Sequence, residues 1–400
     1  MRKAWLWLTK PYDANSKYIA SADLMRVFCT LIVAWYHIWQ QSWLNPAFTI
    51  GSFTINFNAF VRTGYMMVDM LLLLSGFLLF LPYARARVEK EKLPKLGEYY
   101  KKRVARIVPS YLFCIVIILF CFALPQKQYS TAEHMWTDIL SHLTFTHNFS
   151  VLSYHSTRLN SVLWTLAVEV QFYLIAPLIG RAFVKKPMLT YLVMVAAAFA
   201  YRFIYVLQLN DYSLYLNRLP AMLDVYANGM MGALIYVNLC RYVRKSGWKS
   251  LIATAIAVLS VIGVYRITYA QMYIKGGLPG VQIGQMVYRF QLSLLGCLFL
   301  ISAGFSFNWL VRLISCKPVR WLAMISFNVY IWHAYAALRL KEWRIPPYVN
   351  ELPNQVSEQP WQLHYTLLCF AVALALGALV TYLIEKPAAK LILRPARKDK

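Results

Sequence analysis

The chain has 400 residues, 60% of them hydrophobic and only 14% charged, whereas a soluble domain carries about 25% charged residues; an ordinary soluble globular protein is excluded. A net charge of +25 would suggest nucleic acid in a soluble chain, but no RNA- or DNA-binding motif occurs and the aromatic residues lie within apolar runs, so no nucleic-acid partner is expected. The seven cysteines are odd in number and form no CxxC pair, which excludes a complete disulfide framework and argues against a structural zinc site.

Ten segments are long enough, or nearly so, to cross about 30 Å of hydrocarbon at about 1.5 Å per residue. They lie at roughly 20–41, 60–82, 108–125, 162–180, 188–207, 219–239, 250–270, 286–305, 320–338 and 363–385. The chain therefore reads as an all-α integral membrane protein of about ten transmembrane helices. A single membrane domain occupies 1–400, with spans over roughly 20–385 and a basic cytoplasmic tail at 386–400. The first apolar run follows a polar, basic start and lacks a small-residue cleavage site, so the first helix is expected to stay in the membrane.

Sidedness follows from the basic residues. Counting alternate connecting segments, 29 of the 41 Lys and Arg fall on the side of the N-terminus. Cytoplasmic loops carry such an excess, so both termini are expected in the cytoplasm and the protein in the cytoplasmic membrane. The tail is placed to rest on anionic lipid. Outer segment 42–59 carries no charge, and the outer segments 126–161 and 339–362 are long and polar. Internal repeats are not apparent, which speaks against an inverted-repeat transporter.

Span one contains Arg26 and His37. Eleven residues at about 100° each return to within about 20° of one helix face, about 16 Å further along the axis. An ionisable group in a span must face protein or a water-filled cavity. Arg26 snorkelling to the inner surface and His37 as a satisfied core histidine are the plain structural alternatives. Chemically, a neutral imidazole offers a basic nitrogen to an attacking hydroxyl, and a guanidinium offers a phosphate or carboxylate partner.

Span two holds the buried acid Asp69 and then Ser75-Gly76, which allows close helix approach. Arg103 and Arg106, three residues apart, share a helix face where the third span meets the cytoplasm, placed for a phosphate-rich ligand. Glu169 in span four needs a partner, for which His37, Arg26 or an outer arginine are candidates. Asp224 and Arg289 are further intramembrane charges, and Glu385 ends span ten facing the inner headgroups. His134, His142, His147 and His155 in the outer segment are not three or four residues apart, so they do not form a helical metal site. No metal is expected.

Taken together these segments resemble the membrane-bound acyltransferase family 3. The likeness rests on Arg26 and His37 at their spacing, Val68-Asp69 leading to Ser75-Gly76-Phe77-Leu78, and Arg103/Arg106/Pro109. It continues through Trp164-Thr165-Leu166 with Glu169 and Phe172-Tyr173, then Tyr330-Ile331-Trp332-His333 and Glu385-Lys386-Pro387. Lys102 stands where many members have arginine, and Leu71–Leu74 replaces a more aromatic run. The resemblance implies a ten-helix fold that takes acyl-CoA, often acetyl-CoA, and acylates an extracytoplasmic carbohydrate or related envelope acceptor. It implies His37 as the catalytic residue with Arg26 and Glu169 beside it, and Arg103, Arg106 and Ser75 on the donor-binding side. Membrane lipid, acyl-CoA and a glycan or other envelope acceptor are the expected partners. Direct transfer and an acyl-histidine intermediate are both open. A transporter or exporter of a small metabolite or acyl group, without transferase chemistry, is the alternative reading. Some relatives carry an additional catalytic domain; none is read here, so acceptor recognition is expected from the membrane domain or a partner.

Overall fold

Backbone polar groups in hydrocarbon must be paired within their own segment, so long apolar runs fold as helices. The computed structural model describes residues 18–208, 213–243 and 246–394. Helix α1 spans Ala20–Ser42. An antiparallel hairpin follows, β1 (Ala47–Ile50) and β2 (Phe53–Asn56), with Ala47 opposite Asn56. Next come the short α2 (Asn58–Arg62), α3 (Met67–Val88), and α4 (Leu96–Ile118), which runs on through a π-turn at Leu119–Ala123. The polar segment after it folds as α5 (Ala132–Leu143) and α6 (Val151–Tyr154). Then follow α7 (Trp164–Lys185), α8 (Pro187–Gln208), the short α9 (Ser213–Leu216), α10 (Leu223–Tyr242) and α11 (Gly247–Met272). The chain continues with α12 (Gly277–Phe305), the short α13 (Asn308–Ile314) and α14 (Lys317–Glu342). It closes with α15 (Trp361–Val380), a π-turn at Thr381–Glu385 and α16 (Lys386–Ile392).

Among the described residues, ten long helices thus lie on the ten expected segments. The largest displacement is α4, which begins at Leu96 rather than near 108. The basic residues at 101–106 do not break the helix, because Tyr99 and Ala105 in the same stretch are buried in the core. Among the described residues, seven helices are long and apolar enough to cross a membrane on their own; α1, α10 and α14 are not among them. Those three carry Arg26 and His37, Asp224 and Asn228, and Asn328 and His333. Helices surrounded by other helices need not be apolar all round, and the polar side chains of these three point inward. Of the expected tail, 386–392 is helical, and 395–400 lies outside the described residues.

Burial orders the bundle from centre to rim. The apolar window of α3 is 78% buried, that of α8 17% and that of α11 28%, so α3 is central and the other two form the periphery. The closest helix contact is α3 on α10. A Cβ at Gly76 would lie 2.8 Å from the Tyr226 carbonyl oxygen, and one at Gly229 would lie 2.2 Å from that of Leu73. Small residues on both helices let the backbones touch, and Phe172 from α7 stacks on Tyr226 with ring centroids 3.7 Å apart.

Four charges are buried beside this contact. Arg289 Nε on α12 donates to both carboxylate oxygens of Asp69 on α3, each at 3.1 Å. Its Nη1 donates to the Leu216 and Ala221 carbonyls at 3.0 and 3.3 Å. Arg202 on α8 pairs with Asp224 on α10 and donates from Nε to the Ala221 carbonyl at 3.0 Å. Asp69, Asp224 and Arg289, read in sequence as loose intramembrane charges, belong to this four-helix clamp.

Candidate active site

Helices α1, α3, α4, α7 and α14 line a half-open cavity with about 710 Å³ of space up to and including its mouth. Five of the six residues singled out in the sequence line it: Arg26, Ser75, Arg103, Arg106 and Glu169. Each reaches it by the local rule read from sequence. Arg103 and Arg106 share one helix face, and Ser75 projects beside the glycine that lets α3 approach α10.

Glu169 is not paired with His37 or an arginine, as the sequence suggested. Its carboxylate accepts from Ser75 Oγ at 2.8 Å and from the Tyr173 hydroxyl. Tyr173 is one turn along the same helix face, where an i,i+4 partner is always within reach. That spacing was legible and was missed. The Tyr173 carbonyl accepts from the Tyr99 hydroxyl at 3.2 Å. The Arg103 guanidinium lies over both rings, 5.7 Å from the centre of Tyr99 and 5.4 Å from that of Tyr173. Such rings hold a cation in place without neutralising it. Among the described residues Arg103 forms no ion pair, and its Nε is buried without a hydrogen-bond partner. Arg26 has only a long contact to Asp23 at 3.5 Å, both side chains being 18% exposed. Three guanidiniums therefore face a cavity whose one lining carboxylate is already engaged by two hydroxyls, and its field favours an anion.

His37 is not among the cavity's lining residues. It sits seven residues beyond Thr30, the last α1 residue in the lining, which is about 10 Å further along the helix. Its partner was not foreseen: His333 of α14, whose Nε2 is 3.0 Å from His37 Nδ1. The sequence signalled it through the Tyr330-Ile331-Trp332-His333 run, which did not say that it meets His37. The hydrogen bonds assign the tautomers. His333 Nδ1 donates to the Tyr330 carbonyl at 2.6 Å, so His333 Nε2 accepts. His37 Nδ1 is 3.0 Å from the Val33 carbonyl and faces a second acceptor in His333, so it carries the proton. Nε2 of His37 is left with its lone pair. Because Tyr330 also lines the cavity, one helix connects the histidine pair to the cationic chamber.

Glu385 is not simply facing headgroups. The π-turn after α15 brings it to Asn328, whose Nδ2 donates to Glu385 Oε2 at 2.6 Å and to Thr381 Oγ1 at 2.9 Å. It locks α15 to α14 beside the cavity.

Two histidines of the segment between α4 and α7, His142 and His147, form a separate buried pair. His142 and His147 stack in parallel with centroids 3.9 Å apart. Burial alone would raise the Asp138 carboxyl. His142, 3.1 Å away, and the Arg158 backbone amide, at 2.9 Å, outweigh burial and hold it below the usual carboxylate range. His147, only 2% exposed, is pushed down to about 3 by burial and by the neighbouring His142. The native form therefore keeps His147 neutral where the unfolded chain takes up a proton, below about pH 6.5. Stability is lost as pH falls from there toward 3, at about 1.4 kcal/mol per unit. Acidifying from pH 7 to 5 is expected to cost about 2 kcal/mol, read as a lower thermal midpoint. His147→Phe, which preserves the stack, should flatten that dependence. Equal slopes for the two proteins would contradict it.

The fold and site together define a multi-pass membrane protein with a cation-rich chamber and, beyond it, a histidine pair of which His333 is buried and His37 half-buried. Residues 19–382 match the sequence model of the acyltransferase domain, family 3. The chain belongs to that family. It is 23% identical over 340 residues to the peptidoglycan O-acetyltransferase OatA of Listeria monocytogenes, covering 80% of this chain and 49% of that protein. It is also 23% identical over 338 residues to the O-acetyltransferase OatA of Staphylococcus aureus, covering 80% and 50%. A putative acetyltransferase of Acidianus two-tailed virus shares 28% over 216 residues, covering 54% of this chain and 57% of the viral protein. The chain spans about half the length of the two OatA relatives. No solved structure matches it.

Proposed function

We propose that this chain transfers an acetyl group from cytoplasmic acetyl-CoA to a hydroxyl of an extracytoplasmic carbohydrate or other cell-envelope acceptor. In this reading it spans the cytoplasmic membrane ten times with both termini inside. The observation that carries it is a single helix, α1, with Arg26 in a chamber of three guanidiniums and His37 toward the opposite end. The excess of basic residues in the 83–107 segment supports a chamber on the cytoplasmic side. The phosphates of CoA bind Arg103, Arg106 and Arg26, and Ser75 and Glu169 position Tyr173 and Arg103 around them. The slender pantetheine arm extends past Thr30 and Tyr330 toward His37.

The acceptor hydroxyl enters from the outer side. His37 Nε2 takes its proton while the oxygen attacks the thioester carbon. The carbon–sulfur bond breaks, the acetyl ester forms, and the proton passes to the departing thiolate. His333 accepts from His37 Nδ1–H and steadies the imidazolium as it forms. The name of the Listeria relative places its acetyl groups on peptidoglycan, which supports an envelope glycan as acceptor here.

A transporter reading is less supported, because Asp69, Arg289, Asp224 and Arg202 already neutralise one another. The test is the ester content of the cell surface. Mass analysis of envelope glycans should find acetyl esters in cells that have this chain and lose them on its deletion. Identical glycans in the two strains would reject the proposal.

A further inference from the structure

A second polar cavity, of about 580 Å³, lies well away from the guanidinium chamber, between α2 with its preceding hairpin and the end of α11. This cleft, whose volume includes its open mouth, is lined by Asn56, Asn58, Arg62, Tyr265, Tyr269 and Tyr273 together with Ala59 and Met272. The tyrosines recur every four residues and so form a ladder on one helix face. Their ring centroids are 6.1 and 4.9 Å apart along it. Tyr269 and Tyr273 are 45% and 62% exposed, while Tyr265 packs against Phe60 at 5.6 Å and fixes the ladder to α2.

The opposite wall is polar and has unused bonding capacity. Asn58 Nδ2 donates to Asn45 Oδ1 at 2.8 Å, which leaves the Asn58 amide oxygen as an acceptor. Asn56 Oδ1 accepts from the Asn58 backbone at 2.9 Å, which leaves the Asn56 amide nitrogen as a donor. Arg62 is held over the Trp39 ring at 5.6 Å and forms no ion pair among the described residues. No Asp or Glu occurs in 42–62 or 263–288, while Arg62, Arg266 and Lys275 do. Flat rings, an amide donor, an amide acceptor and an uncompensated guanidinium suit sugar rings that carry hydroxyls and a negative charge.

The cavity is also tied to the catalytic end of α1. Gln271, between the ladder's last two rungs, donates to the Tyr65 hydroxyl at 2.8 Å. Tyr65 meets Tyr36 edge-on at 5.3 Å, and Tyr36 meets His37 at 5.0 Å. A ligand that fills the cavity and reaches His37 must therefore extend over more than one ring. A ring of interfacial tyrosines facing lipid would not require two amides and a guanidinium lining the same cleft.

We infer that this cavity is the subsite that holds the acceptor, and that the acceptor is an anionic oligosaccharide bearing a carboxylate or phosphate. The inference rests on the proposed transferase function for its purpose, but its test does not depend on transfer. The probe is envelope glycan released from the deletion strain and divided by anion exchange into acidic and neutral pools. Binding of each pool is measured to the full chain in phosphatidylcholine nanodiscs. The acidic pool should bind, more weakly as salt rises. Affinity should fall about tenfold in Arg62→Gln and in Tyr273→Ala; exposed side chains like these are removed with little effect on folding. Equal binding of the neutral pool, or wild-type affinity in Arg62→Gln, would overturn the inference. So would a thermal stabilisation by phosphatidylglycerol that Arg62→Gln abolishes while neither glycan pool binds, which assigns the cavity to lipid headgroups. Binding without acetyl transfer would instead count against the transferase function alone.

Discussion

His37→Ala is expected to reduce acetyl transfer by about 10²–10⁴-fold, the usual contribution of a positioned general base, with little change in the amount of folded protein in the membrane. The direction follows from the tautomer. His37 Nδ1–H points at His333 Nε2 and the Val33 carbonyl, so Nε2 is the basic atom, and alanine supplies none. His333 makes the prediction sharper. It touches no reacting atom and acts through His37, so its loss should lower kcat and leave KM for acetyl-CoA nearly unchanged. His333→Gln retains an amide oxygen able to accept the same proton and should keep more activity than His333→Leu. Equal losses in the two variants would show that His333 only fills space. Initial rates of acetyl transfer in membranes at matched expression measure all three.

The second large effect concerns stability. Arg289→Met leaves the Asp69 carboxylate 1% exposed without its partner. Removing one member of a buried pair costs about 3–5 kcal/mol, whereas replacing both by apolar groups of similar size is often neutral. Arg289→Met should therefore melt well below the wild type in detergent, and Asp69→Leu/Arg289→Met should recover most of the loss. The double-mutant cycle isolates the pair. A double variant as unstable as the single one would mean that Asp69 and Arg289 matter through their other contacts, such as the Leu216 and Ala221 carbonyls.

The long helices were legible because hydrophobic length and charge asymmetry are properties of contiguous residues. The resemblance grouped Arg26 and Glu169 with His37 as catalytic and set Arg103, Arg106 and Ser75 on the donor side; the cavity gathers five of these six and leaves out His37. Pairings between distant helices were not legible. Nothing in the neighbourhood of His37 announces a histidine 296 positions away, and Glu169 has several arginines and hydroxyls at compatible depth. Helix rotation decides among them, and that rotation is set by contacts such as Gly76 against Gly229. Helix starts at Leu96 and Gly277 were misjudged for a related reason. Polar residues at a membrane boundary end an apolar run without ending the helix.

The central claim is that acetyl-CoA on the cytoplasmic face supplies an acetyl ester on the opposite face through His37. The most direct measurement uses sealed inside-out vesicles given acetyl-labelled acetyl-CoA from outside, followed by recovery of the enclosed glycan. The account predicts ester-linked label on that glycan with the wild-type chain and almost none with His37→Ala. Label that enters the lumen only as free acetate or acetyl-CoA, or that reaches glycan equally well with His37→Ala, would contradict it.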